Sequence, residues 1–531
     1  RVSRRARGSV EAGITRPGTV RSGRSSLIRR GVALTALVVL ATGSAAAADR
    51  VLKVGVPLLP PSFGNPFTAT GLPSGQIWEH IFDGLTELGD DGLPAASLAV
   101  AWQPETPTRW VFQLRQGVRF ANGKPFDAAA AERVFQWLLS EPGRASIVGN
   151  EIRSLVAVHT RGSHELVLET RQPDPILPNR LIAVMMVEPD AWESLGVKGF
   201  ALNPVGTGSY RLITWQNAGG ATVLVANPYA WQPPHIDRVE IYPLADHATR
   251  LQAALSRQLD IAGNMRPEQL SFLRERGYRV EIDPGKQILA IGFDTTGQPD
   301  SPLRDRRVRQ ALNLAVDKET IARVITAGTT RPAGQGASPI TFGYNPDVAP
   351  YPYNPRRAKA LLAEAGYPDG FAFTAQVVLG SYANDVEIYQ RVQQDLAAVG
   401  VDATMQSSIF VDWLRQYVFN EWRSEAFSLA WNYLPYNDAM RPMEYFSCAK
   451  AHPFFCTETV RQGVQAAAVE MDRQRRAAIL ADLQQVFHDD PPCLFLLEMG
   501  HIWVYGEDLA GFVLNNRVPR LADIRFVERP E

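Results

Sequence analysis

Cysteine is nearly absent: three residues in 531, too few for a small scaffold held by disulfides. Neither sign of charge is in excess, with 54 Lys+Arg against 55 Asp+Glu. Long apolar runs are missing too. The most hydrophobic stretch, residues 31–40, is about half of the roughly 20 residues that span a bilayer. The motifs of the commonest chemistries are also lacking. There is no Gly-x-Ser-x-Gly elbow, so the usual esterase arrangement is excluded. His164-Glu165 begins a zinc-protease string, but Leu168 stands where the second His belongs. Gly117 to Lys124 is one residue too long for a phosphate loop, and Pro125 replaces its Ser/Thr. Gly206-Thr-Gly208 lacks a third glycine at Arg211 and reads as a tight turn. The eight His are scattered, so no metal or other cofactor is expected.

What is present is ordinary globular composition, 45% hydrophobic and 21% charged. The length predicts roughly two to four domains. The even charge averages two unlike parts. Residues 1–48 carry nine Arg and one acid, Glu11, which leaves 45 basic and 54 acidic groups in the remainder. A body with that negative balance has no cationic excess to set against phosphates, which excludes general nucleic-acid binding.

Arg29-Arg30, the apolar run 31–40 and the small residues Ala41 to Ala48 follow the order of a secretory signal peptide, cleaved after Ala47 or Ala48. With no Cys near that point, the body is expected to be freely soluble after export, in the periplasm. An oxidising compartment lets Cys448 and Cys456, eight positions apart in a loop-like stretch, form a disulfide. Cys493 sits in the apolar run PPCLFLL and reads as a buried free thiol.

Along the body, Val51–Val56 is a short apolar strand run, and Ile77, Ile81 and Leu85 give a helical period. Trp110, Phe112 and Leu114 alternate as a half-buried strand does, and Asp127 caps a helix from Ala128 to Leu139. Beyond residue 300 the pattern becomes helix, glycine, strand. Asp317 caps a helix with Ile321, Val324 and Ile325 as its stripe, and Asn354-Pro355 opens another that Gly366 closes. Asp385 begins a third, stopped by Gly400 before the strand Val401–Met405. Alternation of this kind argues an α/β chain with more than one sheet.

Several segments, in order, resemble the solute-binding proteins of peptide/nickel-type ABC importers. They are LAVAWQPETPTRWVFQLRQGVRFANGKPFDAAAAERVF from Leu98, NPVGTGSYRLITW from Asn203 and NPYAWQPPHIDRVEI from Asn227. ATRLQAALSRQLDI from Ala248, RVRQALNLAVDKETIARVI from Arg307 and AKALLAEAGYPDGF from Ala358 continue the match.

The resemblance implies an α/β class II periplasmic binding-protein fold, two lobes with an extra subdomain in lobe I. Lobe I is expected over 49–88, 201–292 and 500–531, the extra subdomain over 89–200 and lobe II over 293–499. The implied function is that of the periplasmic subunit of an ABC importer, a monomer without catalytic activity. Its partners would be a small peptide or peptide-like ligand, held between the lobes, and a membrane permease. Non-peptide solutes (a metal chelate, an opine, a glycoside) are the alternatives, followed by a secreted hydrolase.

Dipeptide-type members carry Trp-x-x-Asp-x-x-Asp-Pro ahead of Phe-Ser-Cys, the first Asp holding the peptide's ammonium. Here the stretch is Trp431-Asn-Tyr-Leu-Pro-Tyr-Asn-Asp438, followed by Phe446-Ser-Cys448. Leu434 replaces that Asp, Asn437 the second and Asp438 the Pro. Either Asp438 takes over the role or the ligand has no free amine there. Trp431, Tyr433 and Tyr436 suit stacking on a planar or peptide surface. Further candidates for the ligand site are Phe63 and Asn65 in the loop after the first strand, Trp413, Asp294 at the end of the strand Leu289–Phe293, and Arg441 for a carboxylate.

Overall fold

Apolar strand residues are mostly buried, and they supply the cores packed against three sheets of four or more strands. The computed structural model describes residues 51–527, apart from 217, 284–286, 420, 449–452 and 516. The expected leader, 1–48, lies outside the described residues.

A seven-stranded sheet runs in the order Tyr278–Ile282, Ile502–Gly506, Ile261–Gly263, Leu52–Val56, Arg238–Pro243, Thr222–Ala226, Tyr210–Thr214. Its central strand, Leu52–Val56, is parallel to both neighbours, and the remaining pairs are antiparallel. A six-stranded sheet runs Arg331–Pro332, Cys493–Met499, Gln287–Phe293, Ala426–Asn432, Phe371–Val377, Val401–Ser407. A four-stranded antiparallel sheet, Ala99–Thr106, Arg109–Leu114, Glu165–Thr170, Leu155–Thr160, belongs to the segment inserted after the first strand.

Period-two alternation builds the cores. In Gln287–Phe293, Leu289, Ile291 and Phe293 join one apolar cluster, while Ile288 and Ala290 join Trp431 and Phe495 on the opposite face. The chain passes between the two large sheets twice, from Ile282 to Gln287 and from Met499 to Ile502. The two meet at Asp283 and His501, where Asp283 N donates to His501 O at 3.0 Å. A Cβ added at Gly500 would come 2.3 Å from Asp283 O, so glycine is required for the approach.

Local signals act as read. Asp127 Oδ1 accepts from Ala130 N at 2.9 Å, and Asn354 Oδ1 from Arg357 N at 3.0 Å, each meeting an orphan donor of its helix. Two expectations need correction. The first helix, Gly75–Ile81, stops short of Leu85 because another segment takes its end: Gly208 N donates to Ile81 O at 2.9 Å. A Cβ at Gly206 would meet that same carbonyl at 2.2 Å, so the Gly206-Thr-Gly208 turn serves a backbone contact. After Asp317 the helix winds as a π-turn over Ile321–Ile325, and the wider turn carries Val324 out to 63% exposure instead of onto the apolar stripe.

Lys318, one residue past that cap, is wholly enclosed. Its Nζ lies 3.4 Å from Asn313 Oδ1 and 5.4 Å from the centre of the Tyr351 ring. Burial pushes its ammonium down to about 7. Cys448 and Cys456 are bonded, and Cys493 is a buried free thiol.

Candidate ligand-binding site

The segment after strand Ala426–Asn432 carries most of the residues singled out above. Trp431 is fully buried, with Phe487 and Phe495 at ring distances of 5.3 and 5.4 Å. Gly336 lies flat on its ring, where a Cβ would come within 1.8 Å. Trp431 is therefore a core residue in this arrangement. Tyr433 donates its hydroxyl to Ser338 Oγ at 2.7 Å. Leu434 is buried before a cis Pro435. Asn437 takes a left-handed backbone (φ 48°), and its Nδ2 donates to Ile340 O at 2.6 Å and Gly92 O at 3.2 Å. Asp438 receives Arg476 Nη1 on Oδ2 at 2.7 Å and Nη2 on Oδ1 at 2.8 Å. With both oxygens engaged, it offers no free charge to a ligand ammonium.

Tyr436 has two guanidiniums near its ring, those of Arg180 and Arg441, each 5.7 Å from the ring centre. Its hydroxyl donates to Glu151 Oε2 at 2.8 Å, and Arg441 Nη2 donates to Glu151 Oε1 at 2.7 Å. Arg180 donates to Glu444 at 2.9 Å, and Arg153 pairs with the other oxygen of Glu444 at 2.7 Å. Glu151, Arg153 and Arg180 come from the inserted segment, and Tyr436, Arg441 and Glu444 from the segment beyond residue 431. The network thus ties the two together through buried charge. Burial alone would raise the Glu444 carboxyl, but Arg180 and Arg153 outweigh it and hold it at about 2. Glu151 is likewise held below the usual range, the charge of Arg441 overcoming its desolvation. Burial and Glu151 raise the Tyr436 hydroxyl.

The other candidates serve local structure. Phe63 is exposed and packs edge-on against Trp215 at 5.5 Å, while its carbonyl accepts from Trp78 Nε1 at 2.5 Å. Asn65 Oδ1 closes a turn on Phe67 N at 3.1 Å. Trp413 stacks on Tyr417 at 4.9 Å and donates to Ser428 O at 3.0 Å. Asp294 Oδ1 accepts from Thr296 N and Gly297 N at 3.1 and 2.9 Å, a turn after the strand.

A second set of polar groups, absent from the sequence candidates, collects where the two crossings run. Arg517, 4% exposed on a left-handed residue (φ 73°), donates to Gln287 Oε1 at 3.1 Å and lies 3.1 Å from His501 Nε2. Its Nε is buried without a hydrogen-bond partner. Burial, with Arg517 beside it, pushes His501 down to about 3, so its ring is neutral and accepts. Burial pulls the Arg517 guanidinium below its usual value, and the charge of Asp283 opposes the shift. Glu498, half-buried in strand Cys493–Met499, is pushed up to about 7 by burial, with Arg331 opposing. The signal for Glu498 was legible: it is the single acid in an apolar strand run. Arg517 gave none, because its partners Gln287 and His501 are distant in sequence. Nearby, Thr70, Gly71, Glu79, Asp83, Pro435 and Arg520 are among the residues lining a cavity of about 110 Å³.

The family described as bacterial extracellular solute-binding proteins, family 5 (middle region), matches residues 94–453. The chain belongs to that family. It is 30% identical over 388 residues to the glutathione-binding protein GsiB of Shigella boydii serotype 4 (strain Sb227), covering 72% of this chain and 73% of that protein. The fold matches that of the ABC transporter-associated periplasmic binding protein DppA of Helicobacter pylori, solved with the peptide STSA. That match has a TM-score of 0.76 at 20% identity and covers 90% of this chain and 98% of that one. NikZ of Campylobacter jejuni, solved with Ni(L-His), matches with a TM-score of 0.76 at 18% identity, over 89% and 99%. The expected class II periplasmic binding-protein fold is therefore the fold of this family member, and its work is solute binding.

Proposed function

We propose that this family member captures an oligopeptide or peptide-like solute and delivers it to the membrane permease of an ABC importer. It would act in the periplasm after removal of residues 1–48 and make or break no bond in its cargo. Lobe I comprises 49–88, 201–292 and 500–531 with 89–200 as its extra subdomain, and lobe II comprises 293–499. The ligand lies where the two crossings meet, with Tyr433, Leu434, Asn437 and Arg441 lining it from lobe II and Arg517 from lobe I.

The observation that carries this reading is Arg517. A guanidinium 96% buried, with its Nε unpaired, is costly to a fold and suited to an anionic group such as a peptide carboxylate. A cavity of about 110 Å³ is smaller than the roughly 300 Å³ of a typical ligand pocket, so a peptide needs the halves to part further. The relatives support a peptide-like cargo, since GsiB is named for glutathione and DppA was solved with a tetrapeptide.

The test is mass spectrometry of small molecules released on denaturing the protein purified from its native host, followed by thermal shift with each compound found. A peptide that raises Tm is the expected result. A metal chelate or opine that raises Tm would remove the peptide reading and keep solute capture, and turnover of the compound would remove both.

A further inference from the structure

Resting on the peptide reading above, we propose that Glu498 holds the ligand's ammonium, in place of the acid that position 434 lacks. Three observations lead there.

The first is position. Glu498 is the penultimate residue of Cys493–Met499, directly before the crossing to Ile502–Gly506. Its cross-strand partners are Ile288 and Arg331, and Ile288 in turn pairs with Trp431. Glu498, Ile288 and Trp431 therefore form one row across the sheet, on the face that carries Tyr433. The side chain is half-buried, so it stays open to solvent, and it is close enough to Tyr433 for its charge to act there.

The second is the lack of a partner. Among the described residues the Glu498 carboxylate makes no hydrogen bond and no ion pair. Nothing in the packing needs a carboxylate there; its strand neighbours Leu494, Phe495, Leu496, Leu497 and Met499 are apolar and buried. An unpaired, half-desolvated carboxylate is a cost to stability that a bound cation would offset.

The third is elimination among the neighbouring acids. Arg476 occupies Asp438, Tyr436 with Arg441 occupies Glu151, and Arg180 with Arg153 occupies Glu444. Asp283 acts on Arg517. Asp83, on the cavity wall, accepts from Thr207 and Trp231, and Glu79 acts on Arg517. Among these acids Glu498 is the one with capacity left for a charge-assisted hydrogen bond. The groups that feel or oppose its charge are Arg331 on the edge strand, Tyr344, and Tyr433 just past strand Ala426–Asn432. The rings of Tyr344 and Tyr433 suit an ammonium.

Cation binding needs Glu498 ionised, and the free group is half-protonated near neutrality. Affinity for a cationic head therefore falls about tenfold from pH 7.5 to pH 6.

The experiment is isothermal titration of glutathione and of the tetrapeptide Ser-Thr-Ser-Ala, each with a free and an N-acetylated amine. Wild type, Glu498→Gln and Glu498→Asp are compared. Wild type is expected to prefer at least one free amine by tenfold or more, with the pH slope above. Glu498→Gln should lose both the preference and the slope while binding the acetylated form as before. Glu498→Asp should fold as wild type does and lose at least threefold of the preference; if Glu498→Gln does not fold, this variant decides. A preference undiminished in Glu498→Asp, one that survives in Glu498→Gln, or none in wild type overturns the assignment and leaves peptide capture standing. Failure of every probe to bind wild type overturns both.

Discussion

Asp438 and Arg476 meet in a two-point ion pair, at 2.7 and 2.8 Å, with the side chains 1% and 3% exposed. Arg476 lies on helix Arg473–Asp489, so the pair fixes the segment around Asp438 to that helix. Removing one partner strands a buried charge. Arg476→Met should lower unfolding stability by about 3–5 kcal/mol, whereas Arg476→Met with Asp438→Asn should recover much of the loss. Urea denaturation of the two variants reads this directly, and equal stability of single and double variants would contradict it.

Glu444 carries an acid-dependent share of the link between the inserted segment and the six-stranded half. Its carboxyl is held at about 2, against 4.5 when free. A depressed value means the contribution is complete above pH 4.5 and is lost as pH falls toward 2. Glu444→Gln should cost about 3 kcal/mol at pH 7, and the gap to wild type should close between pH 4.5 and pH 2. A gap that stays constant over that window would remove the ion-pair explanation.

Lys318 works in the opposite direction. Its ammonium titrates near 7 in the folded chain and 10.5 unfolded. The unfolded chain thus holds the extra proton between those values, and wild-type stability rises with pH across that window. Lys318→Met should be more stable than wild type at pH 6 by roughly 2–5 kcal/mol, with an advantage that shrinks steadily up to pH 10. Melting both proteins across that range settles the matter; parallel curves would mean the lysine is not desolvated.

Trp431 and Gly336 form a ring-on-backbone contact. Trp431→Ala should cost about 3–5 kcal/mol as a core truncation. Gly336→Ala, whose Cβ would stand 1.8 Å from the ring, should cost about 1–3 kcal/mol by overpacking. Guanidinium melts check both. An Ala at 431 that leaves stability intact but weakens ligand affinity would return Trp431 to the binding surface.

The caps at Asp127 and Asn354 were readable because each acts on a backbone donor three residues away. The end of helix Gly75–Ile81 was not, since Gly208 terminates it from more than a hundred residues downstream. The same contrast runs through the site. The stretch 431–438 was found by its order of residue types, and Leu434 marked where the dipeptide pattern breaks. What each side chain does there is decided by partners that spacing does not reveal: Glu151 for Tyr436, Arg476 for Asp438, Gly336 for Trp431. Trp413 and Asp294 illustrate the converse, residue types suited to a pocket that are held in a stacked cluster and a turn.

The two crossings between the large sheets are flanked by paired strands at both ends: Ile282 faces Ile502 on one side, and Gln287 faces Met499 on the other. A single strap between two plates can swivel freely. Two straps joined at Asp283 and His501 and paired at their ends behave as a flexure, compliant in one bending direction and stiff against twist and slide. Rocking of the plates on such a joint leaves the separation of Gln287 and Glu498, both fixed to the same plate at its root, unchanged.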